Sequence, residues 1–160
     1  MKPKIAEKRS DCPVNFAVET IGDKWSLVII RDIIFWGKRT YGELLKSNEK
    51  ISTNILADRL AYLEMEGIIK KEPLKTDKRK DLYLPTEKGL DLVPVMIEMI
   101  AWSAKNEGWQ ALGPKGTPAQ FDFVGRVASS NDKSAIVEEV KDLVRKGSSV
   151  FGPKDNGLES

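Results

Sequence analysis

Ser52-Thr53-Asn54 and Asp77-Lys78-Arg79 are the two short runs in this 160-residue chain best equipped for recognition chemistry. An amide both donates and accepts, so Asn54 can pair bidentately with the edge of an adenine. The Thr53 hydroxyl can reach a phosphate and its methyl can meet that of a thymine. Ala57, about one helical turn later, is small enough to permit close approach. Arg59 is long enough for a phosphate, and Asp58 can accept from a cytosine amine or pair with Arg59. In the second run, Arg79 is long and planar and suits a narrow minor groove. Asp77 can orient it, while Lys75, Lys78 and Lys80 can meet flanking phosphates.

From Lys70 to Lys80 six cations (Lys70, Lys71, Lys75, Lys78, Arg79, Lys80) stand against Glu72 and Asp77. A local excess of this kind binds a polyanion even though the net charge is only +2. Taken alone, a charge run equally describes a solvated loop.

The chain has a single cysteine, Cys12, and no histidine. That composition removes Ser-His and Cys-His catalysis, histidine bases and most transition-metal sites, because those chemistries need the residue itself. No catalytic residue, metal site or cofactor is expected, and the chain does not read as an enzyme. Cys12 precedes Pro13 at a predicted helix start, with Lys8 and Arg9 just before it. Helix dipoles and cations favour the thiolate, the form that reacts with oxidants and electrophiles, whereas Asp11 opposes it. A half-buried structural cysteine is the competing reading.

These groups need elements to hold them. Cys12-Pro13 opens a helix that Gly22 stops, with Phe16, Ala17, Thr20 and Ile21 at helical spacing. Asp23 can cap a second helix from Lys24 to about Trp36, apolar nearly all round and therefore central. Thr40-Tyr41-Gly42-Glu43 is a capping box for a short helix to about Lys46. A polar turn leads to Ser52, the cap of a helix over about Thr53–Glu66 whose buried stripe is Leu56, Leu60 and Leu63. Gly67 ends it. Ile68–Leu74 reads as a strand, Lys75–Lys80 as a hairpin tip, and Leu82 and Leu84 lie on the return strand. Thr86 caps a further helix that Pro94 kinks or restarts, running to about Lys105. A break follows at Gly108 and Gly113–Pro118. Residues 119–128 and Ser134–Lys146 are candidate helices, and the chain from Gly147 to Ser160 is expected to be disordered.

The fold expected is mainly α with a small β-hairpin wing: a winged helix-turn-helix with flanking dimerisation helices. Residues 1–11 form a flexible arm, 12–105 the helix-turn-helix domain with its dimerisation helices, and 106–160 a helical extension and tail. Hydrophobic residues at 41% and charged residues at 31% suit an ordinary soluble protein. No apolar run approaches the ~18 residues of a membrane span. The opening Met-Lys-Pro-Lys-Ile-Ala-Glu-Lys-Arg is too polar for a signal peptide. A cytoplasmic location, away from membranes, is expected.

The ordered motifs resemble the HxlR-type winged-helix regulators, relatives of the MarR group. The residues that carry the resemblance include Cys12-Pro13, Ile21-Gly22-Asp23-Lys24-Trp25, Arg31-Asp32, Tyr41-Gly42-Glu43-Leu44, Ile51-Ser52, Leu56 to Leu60, Leu63 to Ile69 and Tyr83 to Gly89. They span about residues 12–104. The resemblance implies a homodimeric regulator acting on double-stranded promoter DNA. In some members a cysteine matching Cys12 senses small-molecule oxidants or electrophiles; others carry the cysteine with no sensing role established. Asp58 departs from the basic or amide residue frequent in the family.

The helix from Leu90 to Ala104 is richer in apolar residues than one core stripe requires. A symmetric partner is the commonest cover for such a surplus, with Val93, Met96, Ile97, Ile100 and Ala104 at the interface. The competing cover is residues 119–146 of the same chain. Two readings of function remain at this point: a DNA-binding regulator, and a winged-helix protein-interaction module that does not bind DNA.

Overall fold

The structure, a computed structural model, describes residues 9–107 and 116–152. Most of the arm (residues 1–8), Gly108, Gly113–Lys115 of the expected break, and residues 153–160 lie outside them. The described order is α1 (Pro13–Ile21), α2 (Ser26–Ile34), α3 (Tyr41–Leu45), α4 (Thr53–Met65), β1 (Ile69–Leu74), β2 (Asp77–Pro85), α5 (Glu87–Leu90), α6 (Val93–Glu107), α7 (Pro118–Ser129) and α8 (Ser134–Arg145). It is mostly helical with one two-stranded antiparallel hairpin, the winged helix-turn-helix expected. No helix among the described residues is long and apolar enough to cross a membrane.

α2 is the central element: Ile29, Ile30, Ile33 and Ile34 are all buried. The cap position of α2 is Trp25 and not Asp23 as expected, and the Trp25 side chain makes no capping hydrogen bond. Asp23 instead shapes the turn before the helix, its Oδ2 accepting from the amides of Trp25 and Ser26, each at 2.9 Å. The helix begins two residues later than Lys24, the Trp25 carbonyl accepting from the Ile29 amide at 3.0 Å. α4 buries Leu56, Leu60 and Leu63 and no other apolar residue, so its outer face stays in solvent. Gly67 ends α4 with φ at 69°, a conformation that costs a side-chain-bearing residue energy. At Gly89 the constraint is proximity: a Cβ there would sit 2.2 Å from the Ile68 carbonyl oxygen. That contact lets α5 close over the base of the hairpin. Pro94 falls at the second position of α6, where a missing N–H costs nothing, so it restarts the helix rather than kinking it.

Two expectations change. The chain after Gly147 is not free, at least as far as Gly152. Ser149 is buried, and the Phe151 amide donates to the Phe35 carbonyl at 2.8 Å. The Phe151 ring lies 6.2 Å from Phe35 and 5.5 Å from Phe123, centroid to centroid. A polar, glycine-flanked segment gave no periodic signal of this docking. The second change concerns α6. Val93, Met96 and Ile97, expected between two chains, are buried within one chain. α7 and α8 pack on α6 and bring Phe123, Val127, Ile136, Val140 and Val144 into the same core cluster. These three residues therefore have no surface to offer a partner. Ile100 and Ala104 are partly exposed. The apolar residues left outside on α6 are Val95, Met99 and Trp102, at 43%, 48% and 66% exposure.

Candidate nucleic-acid interface

The helix-turn-helix is set by local hydrogen bonds. Thr40 Oγ1 accepts from the Glu43 amide while Glu43 Oε2 accepts from the Thr40 amide, closing the capping box of α3. Burial opposes ionisation of Glu43, but the Arg39 and Thr40 amides outweigh it and hold its pKa below the usual value. The turn after α3 is drawn tight by the Lys50 amide donating to the Ser47 carbonyl at 3.0 Å. Lys50 there takes φ of 58°, unusual for a residue with a side chain. Tyr41 Oη donates to the Thr53 carbonyl at 2.9 Å, pinning the first turn of α4 to α3. Ser52 Oγ accepts from the Ile55 amide and caps α4.

On this scaffold Ser52, Thr53, Asn54, Ala57 and Asp58 are all exposed. They form the wet face at the start of α4, opposite Leu56 and Leu60. Arg59 is placed otherwise. Its guanidinium pairs with Asp58 at 2.8 Å and Asp23 at 3.5 Å, and lies 4.6 Å over the Tyr62 ring. It joins α4 to the α1–α2 corner rather than standing free beside Thr53 and Asn54. No sequence pattern announces the pairing with Asp23, which lies far away along the chain.

The wing differs from expectation in a useful way. Its turn is only Lys75-Thr76, and β2 already begins at Asp77. The register runs regularly from Ile69↔Pro85 to Pro73↔Asp81, then jumps to Leu74↔Asp77. Lys78, Arg79 and Lys80 are thus left over as a bulge between paired positions. Pro73 has no N–H to donate, which makes the ladder weakest at that point. All three cations, and Lys75, are exposed. Arg79 has 91% of its side chain in solvent, and its Nε and amide both donate to Asp77 Oδ1, at 3.0 and 3.2 Å. Hydrogen bonding from Arg79 holds the Asp77 carboxyl below the ordinary range. An exposed guanidinium is therefore pre-aimed on a short loop.

A charge network that the sequence did not single out supports α2 and the turn. Asp32 is buried and accepts from Arg31 at 2.7 Å and Lys38 at 2.8 Å. Arg31 also holds Glu49 in that turn. Its one visible trace in the sequence is the Arg31-Asp32 pair.

Cys12 is exposed at the cap position of α1 and its side chain makes no capping hydrogen bond. Arg9 does not face it: its guanidinium is spent on Glu19 at 2.6 Å and Asn15 at 3.0 Å. The half-buried reading of Cys12 is corrected by its exposure; of the two cations expected beside it, Arg9 is engaged elsewhere and Lys8 lies outside the described residues.

Comparison with known proteins agrees with this geometry. The profile of the HxlR-like helix-turn-helix family matches residues 20–110. A Bacillus subtilis protein named as an uncharacterized HTH-type transcriptional regulator, YybR, is 30% identical over 105 residues, covering 66% of this chain and 83% of its own. The solved reduced form of the transcriptional regulator YodB from B. subtilis superimposes with a TM-score of 0.51 at 30% identity, over 61% of this chain and 95% of that one. A Porphyromonas gingivalis protein assigned to the MarR family of transcriptional regulators reaches a TM-score of 0.54 at 30% identity, over 64% of this chain and 98% of that one.

Proposed function

This chain belongs to the HxlR-like helix-turn-helix family of transcriptional regulators, and on that premise we propose that it reads promoter DNA as a homodimer, through α4 and the β1–β2 wing. The bulge of Lys78, Arg79 and Lys80 carries this reading. An interaction module gains nothing from three exposed cations pushed out of a hairpin ladder, whereas a phosphate backbone and a narrow minor groove attract them. In the proposed complex the start of α4 enters the major groove. Asn54 reads a base edge, Thr53 and Ala57 allow close approach, and Ser52 presents the helix N-terminus to a phosphate. Asp58 faces the same solvent and tunes which base is tolerated. Arg59 supports α4 from behind.

The second chain is supported by apolar side chains that this one leaves in solvent. Val14 and Val18 on α1 are 71% and 52% exposed, in addition to Val95, Met99 and Trp102 on α6. Ile100 and Ala104 lie at the margin of that α6 face. Recognition helices in such a dimer lie about 34 Å apart, which calls for a pseudo-palindromic operator.

Cys12 is proposed as a thiol that answers oxidants or electrophiles. Its exposure at a helix N-terminus supports this, as does similarity to a regulator solved in a reduced form. The chain's own promoter, titrated electrophoretically at several salt concentrations before and after diamide, tests both parts. Salt-sensitive retardation supports DNA binding, and no retardation at low salt defeats it. Cys12→Ser abolishes a diamide effect if the thiol is the sensor. Unchanged affinity with Cys12 modified makes the cysteine structural.

A further inference from the structure

Arg39 is a cation that the fold buries without an ion pair among the described residues. The residue is 8% exposed. Its Nη1 donates to the carbonyls of Ile33 and Lys38, while Nε and Nη2 have no hydrogen-bond partner among the described residues. No carboxylate lies within salt-bridge distance of it among those residues. Glu43, the nearest charge acting on it, already accepts from the amides of Arg39 and Thr40. Burial drives the Arg39 pKa down, as it does for a guanidinium short of counter-charge. A buried charge of this kind is expensive unless something neutralises it.

The side chain lines a cavity of about 320 Å³ between the base of the hairpin and α8. Lys70, Arg145 and Lys146 line it too, against Glu87 alone among acidic residues. Glu87 is itself held by Arg145, at 3.1 and 2.9 Å. Leu90 and Val144 give the cavity an apolar floor. Lys70 also pairs with Glu72 at 2.7 Å and Arg145 with Asp142 at 3.3 Å, but Arg39 and Lys146 make no ion pair among the described residues, and Arg39 Nε and Nη2 are left to solvent. These cations above an apolar floor match a dianion carrying a small apolar group.

We propose that this cavity binds a small phosphate monoester, its phosphate held by Arg39 with Lys70, Arg145 and Lys146 around it, and its carbon skeleton resting on Leu90 and Val144. The site lies at the base of the wing, at the other end of the hairpin from the Lys78–Lys80 bulge. Arg39 nonetheless touches the DNA-reading elements: its amide donates to Glu43 of the α3 capping box, and its carbonyl accepts from the Tyr83 amide of β2 at 2.7 Å.

Phenyl phosphate titrated into the full-length protein tests the site by calorimetry and thermal denaturation, with inorganic phosphate, phenol and matched sodium chloride as comparisons. The expected result is saturable stabilisation by phenyl phosphate, weaker stabilisation by inorganic phosphate, and none from phenol or salt. The exposed pair Lys70→Gln/Lys146→Gln should leave the fold intact and weaken phenyl phosphate at least tenfold. Arg39→Met should abolish the stabilisation without lowering the melting temperature of the unliganded protein by more than a few degrees. Stabilisation no greater than that of matched salt overturns the proposal, as does full phenyl phosphate affinity in the double variant. So does loss of duplex affinity in the double variant when phenyl phosphate does not bind the wild type, which would assign these cations to the DNA backbone. The phenyl phosphate readouts do not depend on recognition by α4, so this site can fail while the DNA-binding reading stands.

Discussion

Arg31 grips both carboxylate oxygens of Glu49, with Nη1 to Oε1 at 2.6 Å and Nη2 to Oε2 at 2.8 Å. The pair fastens the turn before α4 to the central helix α2. Ser47 adds its hydroxyl to the same carboxylate at 2.6 Å. The Arg31 hydrogen bonds, opposed by partial burial, lower the Glu49 pKa from 4.5 to about 2. A carboxyl depressed in the folded state stabilises the fold above its unfolded pKa, and that contribution disappears as pH falls through the folded pKa. Glu49→Gln should therefore cost about 1 kcal/mol at pH 7, because the pair is partly open to solvent and screened. The difference from wild type should shrink between about pH 4.5 and pH 2. Urea denaturation across that range measures it, and a cost independent of pH would refute the ionic account.

Arg79→Ala should weaken binding to every duplex and flatten the dependence of affinity on salt, as expected for a lost minor-groove and phosphate contact. Asn54→Ala should instead relax preference at one base position, costing ~1–3 kcal/mol there. Titrations against a set of single-base operator variants separate the two effects. Identical behaviour of both variants would mean that α4 does not read bases.

Arg59→Ala should act on stability and not on the salt slope. Its guanidinium stacks on Tyr62 and pairs with Asp23, contacts worth about 1 kcal/mol together at a partly exposed site. Chemical denaturation reads the loss. A reduced salt slope with unchanged stability would make Arg59 a phosphate contact after all.

Met99→Asp and Trp102→Asp should yield folded monomers, because both side chains lie in solvent within one chain. Ile97→Asp should unfold the protein, since it places a charge where nothing can solvate it. Sedimentation equilibrium together with circular dichroism distinguishes these outcomes. A wild-type protein that is monomeric at micromolar concentration rules out the dimer.

Much of the scaffold was legible in the sequence because the interactions that define it are local. The stripe of Leu56, Leu60 and Leu63 repeats at helical period, and the Thr40–Glu43 box and the Ser52 cap each close within three residues. The wing's charge was legible, but its shape was not: Lys78, Arg79 and Lys80 become a bulge only through the pairing of Pro73 with Asp81.

By itself the sequence determined the order of helices and hairpin, the outward face of α4 and the cationic wing, since period, capping chemistry and charge act over a few residues. Tertiary structure decided which surface covers each apolar or charged group. An apolar stripe states that it must be buried and not against what, so Val93, Met96 and Ile97 could have met a second chain as readily as α7 and α8. The same holds for Phe151 docking on Phe35, for Arg31 finding Glu49 18 residues away, and for Arg39 being buried with its guanidinium unpaired by any carboxylate among the described residues. Burial and ion pairing have no preferred separation along the chain, so only the packed fold could choose these partners.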